Sequence, residues 1–100
     1  MMTDFSKVIH TIDGEPMKLA RPGRDPVPMT LALVAIEALL ADDPEAKGAA
    51  KVERFMLASK IQATTDPIDL SPEAVALIRE RVGAACPTLI CGRAHELLNG

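Results

Sequence analysis

Eight consecutive residues, Arg21 to Pro28, include Pro22, Gly23, Pro26 and Pro28. Each proline lacks the backbone N–H that a helix interior or an inner strand requires, so no helix crosses this stretch. The chain is thereby divided into an N-terminal segment, residues 1–28, and a body, residues 29–100. At 100 residues the two parts together make one domain with one core.

Within the N-terminal segment, Lys7, Val8, Ile9, His10, Thr11 and Ile12 are rich in β-branched side chains, which fit an extended strand. Asp13 and Gly14 follow as the pair that favours a type I′ turn, leading into Glu15–Leu19. The pattern predicts a β-hairpin arm, with Arg21–Pro28 as an irregular proline-rich loop behind it. Because an isolated hairpin is marginal in water, the arm must pack on something, and Pro16 restricts its second strand to an edge.

The body reads as four helices. Thr30 is a helix cap for Leu31–Ala41, which is apolar all round except at Glu37 and therefore belongs in the middle of a bundle. Asp42, Asp43, Pro44 and Glu45 stop that helix and start the next, over about residues 44–63. In the third, Ser71 caps, Pro72 occupies the first turn and Leu70 can staple onto Val75, with Ala74, Val75, Ile78, Val82 and Ala85 on one face. After a break at Pro87 a fourth helix runs from Thr88 to Leu98, with Asn99 and Gly100 as its stop. The expected fold is mainly α, an N-terminal β-hairpin arm followed by a four-helix compact domain.

The second helix carries two apolar patches. Ala46, Ala50, Leu57 and Ile61 form a narrow core stripe, while Ala49, Val52, Phe55 and Met56 form another, set apart by Lys47, Lys51 and Arg54 on one flank and Glu53 and Lys60 on the other. Either other helices or the arm cover the second patch, or it is a surface for a partner or a second copy. Val52, Phe55 and Met56 are the residues that would carry such a contact.

Composition narrows the function. Phe5 and Phe55 are the only aromatic residues, and 11 basic side chains face 14 acidic ones for a net charge of −3. A nucleic-acid surface built of stacking rings in a basic groove is not expected from these numbers. Two cysteines five apart, Cys86 and Cys91, match neither a disulfide scaffold nor a paired zinc knuckle, which points to a reducing cytosol. Residues Met1 to Lys7 show no secretory pattern, and the longest apolar run, Leu31–Ile36, is far short of the roughly 20 residues that cross a bilayer.

Candidate chemistry is sparse. Cys91 and His95 share a helix face and Cys86 lies across the Pro87 break, yet no recognised spacing supplies the rest of a metal site. His10 and His95 are the only imidazoles, neither placed to activate a nucleophile, and no phosphate-cradling GxxxxGK[ST] or GxGxxG run occurs. Neither an enzyme, nor a bound cofactor or metal, nor a small-molecule substrate is expected. Tested as a helix-turn-helix, Pro72–Leu98 would present Thr88, Leu89, Ile90, Cys91, Gly92 and Arg93, largely apolar where base-edge donors are needed; Arg93 alone cannot provide specificity, and an αα-hairpin of the core is the expected reading. The alternative function is a small nucleic-acid-binding regulator acting through Lys47, Lys51 and Arg54 or through Arg79, Arg81 and Arg93.

The order of pieces is itself informative: His10 to Pro16, Leu31 to Leu40, Lys51 to Ala58, Asp69 to Glu73 and Gly92 to Leu98. Together they resemble a group of small proteins of similar length encoded by tailed bacteriophages and bacterial prophages. The alanine-rich stretch Gly83–Pro87 departs from the bulkier apolar residues such proteins carry there. The resemblance brings no catalytic residues. It implies an accessory protein of the bacterial host cytosol that works by protein–protein contact, in virion or tail assembly.

Overall fold

The structure, a computed structural model, describes residues 2–99. It is mainly α, with four helices, α1 (Leu31–Leu40), α2 (Gly48–Ala63), α3 (Pro72–Ala85) and α4 (Thr88–Asn99), and four short strands. The strands are β1 (Met2–Thr3), β2 (Lys18–Arg21), β3 (Arg24–Pro28) and β4 (Ile68–Asp69), paired antiparallel as β1 with β4 and β2 with β3.

α1 lies at the centre and touches each of the other three helices. Its sequence explains the position, since Leu31, Val34, Ala35, Ala38 and Leu39 are all buried. The Thr30 side chain accepts from the Leu33 N–H at 3.3 Å and satisfies one of the free donors of the first turn. α3 starts as its sequence predicts: the Ser71 hydroxyl accepts from the Ala74 N–H at 3.1 Å, Pro72 fills the first turn, and Leu70 and Val75 are both buried. Ile9, Leu31, Ile61, Ile78, Val82 and Leu98 make the most enclosed part of the core. Phe5 and Ile9 belong to the same cluster, so the first part of the N-terminal segment is core rather than appendage.

The strands correct the sequence reading in two places. The Asp13–Gly14 turn is not type I′. Gly14 N–H donates to the Thr11 carbonyl at 3.0 Å, Thr11 N–H donates to the Glu15 carbonyl at 2.8 Å, and Gly14 has φ of +90°. These bonds define a three-residue loop closed by a left-handed glycine, the next commonest hairpin connection. Little ladder follows it, only the His10–Pro16 bridge, because the Ile9 N–H that would next pair with Met17 bonds to the Met29 carbonyl instead.

The main strand pair lies instead in Lys18–Pro28, so that Arg21–Pro28 is not the irregular loop its prolines suggest. Arg21 faces Arg24 across Pro22 and Gly23, and Gly23 has φ of +70°. Proline followed by a left-handed glycine is the sequence of a type II turn, so the residues that forbid a helix here close a hairpin. Pro26 and Pro28 are tolerated because β3 has no further strand beyond it. At its base the ribbon is tied to the core by a ring of three backbone bonds: Ile9 N–H to Met29 carbonyl (2.8 Å), Met29 N–H to Met17 carbonyl (2.9 Å) and Met17 N–H to Ile9 carbonyl (2.8 Å).

Two helix details also differ. α2 starts at Gly48, not Pro44, because Asp43 organises a separate turn: its Oδ1 accepts from the Glu45 N–H at 3.1 Å and its carbonyl from the Ala46 N–H at 3.0 Å. Ala85, placed on the core face of α3, is exposed, while Arg81 is buried. The stop expected at Asn99 and Gly100 falls at the edge of the described residues, Gly100 lying outside them.

Candidate protein interface

Along α2, Ala58 and Ile61 are buried and Ala50 and Leu57 half-buried against the body. The opposite side of the helix is uncovered. Val52, Phe55 and Met56 are 57%, 61% and 65% exposed, and Leu40 at the end of α1 is 56% exposed. Neither the arm nor another helix reaches this patch, although the arm is fixed in the core at Phe5 and Ile9. Beside it runs a shallow groove of about 300 Å³ between α1 and α2, walled by Ile36 and Leu40 on one side and Phe55, Ala58, Ser59 and Gln62 on the other. Phe55 is thus both part of an apolar ridge and one wall of a groove. Contiguous exposed apolar residues next to charged flanks form a surface that gains free energy when another protein covers it. Leu40 was not singled out from sequence, because its role depends on the turn that brings the end of α1 alongside α2.

A partly buried polar cluster holds that turn. Asp43 Oδ2 receives Arg54 Nη1 from α2 at 3.1 Å and lies 3.6 Å from Arg81 Nη1 of α3. The side chains of Arg54 and Arg81 are 12% and 7% exposed. The Glu45 backbone N–H bonded to its Oδ1, with the Arg54 bond to Oδ2 and the charges of Arg54 and Arg81, holds the Asp43 carboxyl below its usual 3.8. A cavity of about 540 Å³ opens at the same turn, lined by Leu39, Asp42, Asp43, Lys51 and Arg54 among others. Sequence gave no hint of this cluster beyond the residue types, since α3 Arg81 is far from Asp43 along the chain.

The other candidates resolve into structural roles. Arg93 donates through Nη2 to the Thr11 carbonyl at 2.8 Å and through Nε to the His10 carbonyl at 3.2 Å, so it clamps the hairpin loop to α4. Arg54 and Arg81 are engaged by Asp43. Of the cations considered for phosphate contact, Arg54, Arg81 and Arg93 are thus engaged within the fold, while Lys47 and Lys51 are exposed on α2.

His95 Nδ1 lies 2.8 Å from the Cys91 carbonyl, an acceptor, so Nδ1 carries the proton. With its Nδ1 lone pair absent, His95 is no base for the Cys91 sulfur 3.6 Å away. Burial, then the neighbouring Cys91 and Glu37, push the Cys86 thiol up from its ordinary value, which disfavours its thiolate. Among the described residues, no three His, Cys, Asp or Glu side chains gather in a group that could hold a metal ion. No helix among them is long and apolar enough to cross a membrane. Compared with known proteins, the chain matches no family model, no curated protein and no solved structure.

Proposed function

We propose that this chain is an accessory protein of phage or prophage type that works by protein–protein contact, through the ridge of Val52, Phe55 and Met56 with Leu40 at its edge. The observation that carries the reading is the exposure of Phe55, one of two aromatic residues in the chain, at 61%. Burying a ring of this size together with Val52 and Met56 beside it removes a large apolar area from water. The proposed occupant is a second copy of the chain. Ridge and groove lie side by side on the same face, so a two-fold arrangement lets the ridge of each copy fill the groove of the other. No catalytic step is part of this reading.

Sedimentation velocity on the full chain tests it. The wild type is expected to associate in a concentration-dependent manner, and Phe55→Glu to sediment as a monomer with unchanged far-UV circular dichroism. A monomeric wild type at all concentrations overturns self-association, and loss of helicity in Phe55→Glu shows that Phe55 supports the fold rather than an interface.

A further inference from the structure

The β2–β3 ribbon concentrates positive charge on an otherwise acidic molecule. Residues 18–28 hold Lys18, Arg21 and Arg24 against a single acidic residue, Asp25, whereas the rest of the chain has 8 basic residues against 13 acidic ones. Every residue from Lys18 to Pro26 is exposed, and β2 and β3 pack mainly on each other. Arg21 and Arg24 are direct cross-strand partners at the tip. Like charges placed opposite one another destabilise a strand pair. Yet among the described residues no carboxylate lies within ion-pairing distance of Lys18, Arg21 or Arg24. The self-repelling tip is a cost in the free protein that an external polyanion removes.

We propose that this ribbon is a phosphate-contacting arm for duplex DNA, with Lys18, Arg21 and Arg24 as its contact residues. The inference is independent of the α2 surface. A two-stranded ribbon fits the major groove of B-form DNA, whereas the major groove of duplex RNA is too deep and narrow to admit side chains. Single strands are disfavoured because residues 16–28 contain no ring on which a base could stack. A membrane surface is disfavoured because the tip is Pro22 and Gly23, with no aromatic or long apolar side chain to enter lipid. The ring of bonds among Ile9, Met17 and Met29 fixes the base of the arm in the core, so the cations are presented on a stiff support. Nothing in the ribbon reads base edges, and binding is therefore independent of sequence.

The test is fluorescence anisotropy of a labelled duplex of random sequence titrated with the full chain at low salt. Wild-type binding is expected to be weak, with a slope of log K against log salt approaching about −2.7 for three phosphate contacts. The triple variant Lys18→Gln/Arg21→Gln/Arg24→Gln should lose binding. Arg21→Lys/Arg24→Lys should retain it, and so should Lys47→Gln/Lys51→Gln on α2. Should the triple variant lose circular dichroism, Arg21→Gln/Arg24→Gln takes its place and should reduce the slope to about −0.9. No binding by the wild type, binding that survives removal of the three cations, or cation-dependent binding to phosphatidylserine vesicles without duplex binding would each overturn the proposal.

Discussion

Arg81 Nη1 lies 3.6 Å from Asp43 Oδ2, the same oxygen that Arg54 reaches at 3.1 Å, so a single carboxylate joins α2, α3 and the turn after α1. Two nearly buried guanidinium groups against one carboxylate form an arrangement whose strength depends on that carboxylate being ionised. It also sets the position of α2, and with it the exposed ridge.

Asp43 therefore makes stability depend on acid. Its carboxyl is held below 3.8, so its contribution is complete above that value and is lost as the pH falls through the lowered folded-state pKa. Asp43→Asn imitates the protonated side chain. Thermal melts from pH 7 downward should show the variant less stable at neutral pH and the gap to wild type closing in strong acid; a gap that stays constant with pH would contradict the assignment.

Arg93 ties the hairpin loop to α4 with bonds to the His10 and Thr11 carbonyls, and its side chain is 27% exposed. Hydrogen bonds from a charged donor contribute about 1.5–3 kcal/mol each, and partial solvent access reduces that to roughly 1–2 kcal/mol for the pair. Arg93→Ala should speed hydrogen exchange at the N–H groups of Thr11 and Gly14 before it affects α1. Unchanged exchange there would show that the loop holds itself.

The cap at Ser71 gives a local test of how α3 begins. Ser71→Ala removes the acceptor for the Ala74 N–H and should cost about 1 kcal/mol. In a domain of this size that corresponds to a melting midpoint lower by about 4–8 °C. An unchanged midpoint would mean that Pro72 and the Leu70–Val75 contact suffice to start the helix.

How much of this was legible in the sequence follows from the range of each interaction. The caps of α1 and α3 and the apolar periodicity of α1 are local, and Thr30, Ser71 and Pro72 stand where their chemistry places them. Val52, Phe55 and Met56 separate from the core stripe by helical angle alone, although angle cannot say whether a neighbour covers them. The start of α2 is not legible locally: Asp42 to Glu45 have the residue types of a helix start, while the partners of Asp43 include Arg54 and Arg81 from other elements. The ribbon is hidden in the sequence because proline is foremost a breaker of regular structure. Pro22 before Gly23 is also a turn signal, and the pairing of Arg21 with Arg24 follows from it.

Core and ridge should respond oppositely to truncation. Ile78 is fully buried, and Ile78→Ala should cost about 2–5 kcal/mol. Phe55→Ala, at an exposed site, should change monomer stability by no more than about 0.5 kcal/mol. Chemical denaturation at low protein concentration separates the two, and comparable losses would place Phe55 in the fold.

The most direct measurement of the central claim is where the chain changes on association. Side-chain NMR spectra recorded over a dilution series should show the Val52 and Met56 methyl groups and the Phe55 ring shifting with concentration, together with Leu40. Ile9 and Ile78, fully buried in the core, should stay fixed. Shifts confined to another surface, or none at any concentration, would contradict the assignment of the α2 ridge as the contact between copies.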